Sequence, residues 1–194
     1  RLWPAAAFLA RYLAQAATTE GAAASSIVLG RSVLELGCGN GLVSLTAARL
    51  GASTVLATDY RSLPLRLVHK AAQRAGCADA GSSSMSILTT RQLDFAAPMP
   101  EPAVIHTRSR AQRISPCVEA LPKHDVLVAA DVGYSPALAW RLGERCRETL
   151  AAGGRCVIAE SRQNPACRLA FSEALNLGGG WEEEEDVEEE NGGE

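Results

Sequence analysis

VLELGCGNG, residues 33–41, is the stretch on which the reading of the whole chain turns. An apolar run carries Glu35 near its end and then breaks into glycine at positions 37, 39 and 41. A short apolar run bounded by glycine predicts a buried strand, Ser32 to Leu36. The periodic segment after it, Leu42 to Leu50 closed by Gly51, predicts a helix. Glycines at such a junction make a tight turn and let a ligand lie against bare backbone. A dinucleotide fingerprint from Gly37 would need glycine at the sixth position, which is Leu42 here, so the third glycine comes one residue early. An acid at position 35 would also repel a pyrophosphate from the helix N-terminus.

That acid suits a cation instead, such as a ligand with an amino group or a sulfonium. S-adenosyl-L-methionine carries both. The second strand, Ser53 to Thr58, ends at Asp59, 18 residues after Gly41. This is about the distance at which an acid reaches both hydroxyls of a ribose. The residues alone leave open a plainer role for Asp59 as a cap on the following helix, beside Ser62 and Pro64.

Outward from this core, strand and helix patterns alternate. A helix is predicted from Pro4 to about Ala16, a loop over Thr18 to Ser26, and a helix over Leu63 to Ala75 with Gly76 at its end. A third strand near Met85 to Leu93 leads to Asp94. The stretch 96–122, with five prolines and the basic run HTRSRAQR, reads as a long irregular segment, a variable insertion ahead of a functional lid. A fourth strand (His124 to Ala130), a helix (Pro136 to Leu150), a fifth strand (Arg155 to Ser161) and a last helix (Pro165 to Leu177) follow. Such alternation predicts an α/β fold with a mainly parallel sheet, helices on both faces, and a ligand at the carboxyl ends of the strands.

Composition bounds the rest. Of 194 residues, 47% are apolar and 21% charged, which predicts one soluble domain, 1–177. No apolar stretch reaches the roughly 18 uncharged residues that span a bilayer, and RLWPAAAFLARYL lacks the ordering of a signal peptide. A cytoplasmic or nuclear location, with no membrane partner, is the expectation. The six cysteines form no C-x-x-C pair and the three histidines are scattered, which points to packed, reduced thiols and away from a metal or a Cys/His nucleophile. Nine of the 22 acids fall in WEEEEDVEEENGGE, residues 181–194, leaving 13 acids against 19 bases, about +6, on the rest. The segment 178–194 is expected to be a disordered, solvating tail, with a fold back onto the basic body or mimicry of an acidic partner as the sharper reading. The body's charge is too weak a sign for nucleic acid binding.

At this point a resemblance enters. VLELGCGNGLVSLTAARLGASTVLATD is similar to the cofactor-binding half of the seven-stranded, S-adenosylmethionine-dependent methyltransferases, and its flanks resemble the branch of protein lysine methyltransferases called family 16. LWPAAAFLARYL resembles that branch's W-P segment, RQLDF at 91–95 its L-D-W segment, and DVGY at 131–134 its D-x-x-Y motif. The resemblance implies a Rossmann-like methyltransferase fold. It also implies that Gly37, Gly39 and Gly41 floor the cofactor, with Glu35 near its methionine end. Asp59 would bind the ribose, and Leu93, Asp94 and Phe95 would surround the adenine. Trp3 would line the methyl-donor side, and Asp131 and Tyr134, the catalytic candidates, would border the channel for a protein lysine side chain. Each has a plainer alternative: Trp3 as a core plug, Asp131 as a cap on the helix from Pro136, Tyr134 as packing.

The chain departs from the branch where GGGW runs into acids in place of a final strand hairpin, at Gly133 inside D-x-x-Y, and in LRLVHKAAQRAG, which lacks asparagine. The expected fold therefore lacks part of the C-terminal hairpin. A small-molecule methyltransferase and a catalytically silent, partner-binding fold stay open as alternatives.

Overall fold

The computed structural model describes residues 2–18, 26–77, 87–96, 103–107, 110–114, 120–162 and 164–177. In chain order the elements are α1 (Pro4–Thr18), β1 (Ser32–Leu36), α2 (Leu42–Arg49), β2 (Thr54–Asp59), α3 (Ser62–Arg74), β3 (Leu88–Gln92), β4 (Ala103–Thr107), β5 (Arg110–Ile114), β6 (Val126–Ala130), α4 (Pro136–Ala151), β7 (Arg155–Ala159) and α5 (Pro165–Asn176).

Five strands form a parallel sheet in the order β3-β2-β1-β6-β7. Residue alternation along each strand sorts the core into two faces. Val33, Val55, Ala57, Val126 and Val128 pack with Leu9 and Leu13 of α1, Val43 and Ala47 of α2, and Leu65 and Val68 of α3. Leu34, Leu36, Leu127 and Ala129 pack on the other side with Leu142 and Cys146 of α4 and the half-buried Phe171 and Leu175 of α5. Both faces are therefore covered, as strands this apolar require. The register sets Leu34 beside Leu56 and Leu127, so the leucine face is continuous across three strands.

From β1 the chain winds outward through β2 to β3, then returns to lay β6 on the other side of β1. The winding reverses between β1 and β6, and the loops leaving their carboxyl ends open a crevice there. The opposite end of the sheet is closed by polar contacts. The Asp125 carboxylate accepts hydrogen bonds from Ser32 N–H at 2.8 Å and Ser32 Oγ at 2.7 Å, which hold it below the usual carboxylate range.

Three boundaries differ from the sequence reading. The stretch expected to be irregular contains an antiparallel pair, β4 with β5, in register from Ala103↔Ile114 to Thr107↔Arg110. Val104, Ile105 and Thr107 supply the β-branched content of a strand, which the prolines around them obscured. The fourth parallel strand begins at Val126 and not His124, whose ring is held by Pro122 O at 2.6 Å and Thr149 Oγ1 at 2.8 Å. The third begins at Leu88; Met85 and the acidic segment 178–194 lie outside the described residues. β7 is an outer strand of the sheet among the described residues. Cys38, Cys77, Cys146, Cys156 and Cys167 are free thiols.

Candidate active site

Every residue expected to serve the site lies at a carboxyl end of a strand or in the segment facing it. Glu35 is only 3% exposed. Its Oε2 accepts from Ser44 N–H at 2.9 Å and from Ser44 Oγ. Ser44 is the third residue of α2, and Gly41, the residue before that helix, has no side chain to cap it. Glu35 thus satisfies one of the first-turn donors that every helix leaves open. Burial pushes its carboxyl up to about 7, the bonds from Ser44 oppose that rise, and the charge of Asp59 adds to it.

The three glycines have separate reasons to be glycine, although all have positive φ. A Cβ on Gly37 would lie 2.5 Å from Val132 Cγ1, and one on Gly41 would lie 2.5 Å from Val68 Cγ2. Protein side chains fill those places. A Cβ on Gly39 would meet nothing within 4 Å among the described residues. Bare backbone is thus offered to a ligand at Gly39, while Gly37 and Gly41 let the loop close on its own core.

Asp59, 6% exposed, stands beside that opening. Its Oδ2 accepts from Gly39 N–H at 3.2 Å and its Oδ1 from Arg61 N–H at 2.9 Å. Each oxygen keeps a further acceptor direction, as a ribose diol would need. Leu93 N–H donates to Asp59 O at 3.1 Å, which draws the end of β3 to the end of β2. Leu93 is buried, Phe95 half-buried and Asp94 exposed, with Asp94 Oδ1 accepting from Ala96 N–H at 3.0 Å. The buried Arg145 of α4 donates from Nε to Phe95 O at 3.1 Å and from Nη1 to Glu148 at 2.8 Å. Sequence reading missed this arginine because its target lies 50 residues away.

On the other side of the crevice Asp131 has φ +56°, the one non-glycine residue with positive φ among the described residues. It caps α1, and not the helix from Pro136. Its Oδ2 accepts from Ala5 N–H at 3.3 Å, and its Oδ1 accepts from Ser161 N–H and Ser161 Oγ, both at 2.7 Å. The helix from Pro136 takes its cap from Ser135, whose Oγ accepts from Leu138 N–H at 3.3 Å. Tyr134 is 69% exposed and Trp3 46%, so neither is a core plug. The bond from Ala5 holds Trp3, two residues before it, at the Asp131 side. Ser161 and Glu160, the two residues after β7, were also missed; the signal was their place at a strand's carboxyl end.

Among the described residues, the one thiol beside the glycine turn, Cys38, is buried. Burial, with Glu35 and Asp59 nearby, raises the Cys38 thiol well above its usual range, so it stays protonated and inert. Among the described residues no group of three or more His, Cys, Asp or Glu could hold a metal ion, and no helix is long and apolar enough to cross a membrane. The residues fit S-adenosylmethionine: open backbone at Gly39, and a carboxylate beside it with acceptor capacity to spare.

Comparison with solved structures shows the same fold. TrmN from Thermus thermophilus aligns with 22% identity and a TM-score of 0.54, covering 90% of this chain and 45% of that one. Ribosomal protein L11 methylase from Lactobacillus delbrueckii subsp. bulgaricus aligns with 17% identity and a TM-score of 0.52, covering 87% and 67%. A methyltransferase structure from Pyrococcus horikoshii aligns with 14% identity and a TM-score of 0.51, covering 82% and 60%. The chain therefore spans from under half to about two thirds of the length of these neighbours. No curated protein matches. The sequence matches the family described as lysine methyltransferase, methyltransferase family 16, over residues 1–102, and since this is more than half of the chain, the protein belongs to that family.

Proposed function

We propose that the protein is an enzyme that transfers a methyl group from S-adenosylmethionine to a protein side chain, lysine ahead of arginine. The observation that carries this reading is the open face over Gly39, with the Asp59 carboxylate on one side and the Val132–Tyr134 loop, packed against Gly37, on the other. When bound, the cofactor supplies a methyl group activated by a sulfonium. The protein's part is alignment and exclusion of water.

Asp59 would hold the ribose hydroxyls, Leu93 and Phe95 would flank the adenine, and Asp94 would meet its amino group. Glu35 is spent on Ser44 and shapes the methionine end by holding the first turn of α2. A lysine amine, ordinarily near pKa 10.4, must lose its proton before it can attack, and the loss of water around it as it enters the site favours the neutral form. Tyr134 meets the incoming side chain, and its ring face accepts a cation. Asp131, with both oxygens already accepting bonds, acts through the loop and the helix it joins.

Calorimetry with S-adenosylmethionine tests the cofactor half. Binding in the micromolar range is expected. Asp59→Ala removes two charge-assisted hydrogen bonds, about 3 kcal/mol or more together, so affinity falls more than about 100-fold. No binding by the folded chain would overturn the proposal. For the acceptor, transfer of labelled methyl into cell extract should place the label in methyl-lysine after protein hydrolysis; label confined to small molecules would replace the protein acceptor with a small one.

A further inference from the structure

We propose that Glu160 is a positioning residue on the acceptor side of the site, holding the Gly133 peptide so that Tyr134 stands at the mouth of the crevice. The proposal rests on the reading of residues 131–134 as the acceptor-side loop.

Glu160 is the first residue after β7, and its Oε1 accepts from Gly133 N–H at 2.7 Å. Its neighbours reach the same loop. Asp131 N–H donates to Ala159 O at 2.9 Å, and Ser161 donates twice to Asp131 Oδ1. The ends of β6 and β7 are thus interlocked: each contributes a carboxylate that receives a backbone N–H from the other. Glu160 supplies the arm that reaches furthest along the loop, one residue before Tyr134.

Gly133 is shaped to this contact. A Cβ there would lie 3.0 Å from Glu160 Oε1 and 3.6 Å from Ala139 Cα, so a side chain at 133 would require the carboxylate to give by a few tenths of an ångström. Its φ lies outside the left-handed region, so backbone conformation does not require glycine. Burial raises the Glu160 carboxyl above its ordinary range, the Asp131 charge adds to this, and the Gly133 and Val132 peptides oppose it. Glu160 is itself exposed, so what ties it to the loop is the 2.7 Å bond from Gly133 N–H. Tyr134 is 69% exposed, so the direction in which its side chain leaves the backbone is set by the peptide that Glu160 holds.

The test compares two ligands by calorimetry on the full chain. S-adenosylhomocysteine occupies the cofactor half alone. Sinefungin places an ammonium where the transferable methyl would point, so the ratio of the two affinities reports the acceptor side. Glu160→Ala is expected to reduce the sinefungin preference at least five-fold and to change S-adenosylhomocysteine affinity less than two-fold. Glu160→Gln, which still offers an oxygen to Gly133 N–H, should restore the preference to within two-fold of the parent. Gly133→Ala, which crowds the carboxylate and leaves Glu160 in place, should give part of the same loss, about two-fold, and serves if Glu160→Ala fails to fold. Equal losses in the Gln and Ala variants would show that Glu160 acts by charge and overturn the positioning role; so would an unchanged ratio in Glu160→Ala and Gly133→Ala. Tyr134→Ala separates this from the reading beneath it. If it leaves the ratio unmoved, the loop is not on the acceptor side; if it shifts the ratio and the other variants do not, only the Glu160 proposal falls.

Discussion

The loop after β1 and the loop after β6 meet at the switch point, where Val132 fills the space that a side chain on Gly37 would need. They are held by different means. The glycine loop is closed by near neighbours in sequence: Glu35 on Ser44 nine residues away, Gly41 N–H on Cys38 O, and Asp59 on Gly39 at a separation of 20. The D-V-G-Y loop is closed from afar, by Ala5 at a separation of 126 and by Glu160 and Ser161 at 27 and 30. A loop closed locally needs little more than its own supersecondary unit. One closed by distant segments keeps its shape only while α1 and β7 are both docked, so it opens with any local unfolding of either. The half of the crevice built by the loop after β1 is thus held mostly from within, and the half built by the loop after β6 depends on distant segments.

The largest break of this contrast is expected within the glycine loop. Gly41→Ala forces a left-handed alanine at φ +79° and drives its methyl into Val68, so urea denaturation should show a loss of about 3 kcal/mol or more. Gly39→Ala meets open space and should cost only the backbone term, about 1–2 kcal/mol, yet abolish S-adenosylmethionine binding. Equal costs at the two positions would mean that the loop is not packed as described.

Next in size is a pH effect on the same half. The folded pKa of Glu35, about 7, exceeds its ordinary 4.5, so the folded chain holds this proton more tightly than the unfolded one. The associated stability is fully present below about pH 4.5 and is lost as pH rises through about 7, some 3 kcal/mol in all. Urea midpoints across this range should fall with pH in the parent and flatten in Glu35→Gln. A parent curve with no more slope than the variant would remove the buried acid from this account.

The smallest effect belongs to the other half. Ser161→Ala removes one of the bonds to Asp131 and leaves the backbone N–H, so about 0.5–1 kcal/mol is expected. Hydrogen exchange should speed up at Ala5 and Gly133 while the amides of Cys38 and Gly41 stay protected. Uniform acceleration at all four would show that the two loops are one cooperative unit.

Much of the fold was legible because its signals are periodic and local. The apolar runs at β1, β2 and β6, the helix stops at Gly51 and Gly76, and the acid closing β2 each rest on a few adjacent residues. The β4–β5 pair was not, since prolines on both sides outweighed a short β-branched run. Within the site, Glu35 and Asp59 were found as acids at strand ends, but the partner that occupies Glu35 was not, because Ser44 looks like any small residue on a helix. Arg145, Glu160 and Ser161 were missed for the same reason: each meets its target only after the sheet has formed.

What the sequence determined by itself is the α/β order, the family, and the β1–β2 side of the crevice, because strand, glycine turn, helix and the acid closing β2 follow one another within 28 residues, 32–59. Tertiary structure decided which glycine is left open and which face packed valines. It also made Asp131 a clamp between α1 and β7, and gave Gly133 its carboxylate partner. Those contacts join segments that are neighbours only because β6 and β7 lie side by side in the sheet, and no local pattern encodes that adjacency.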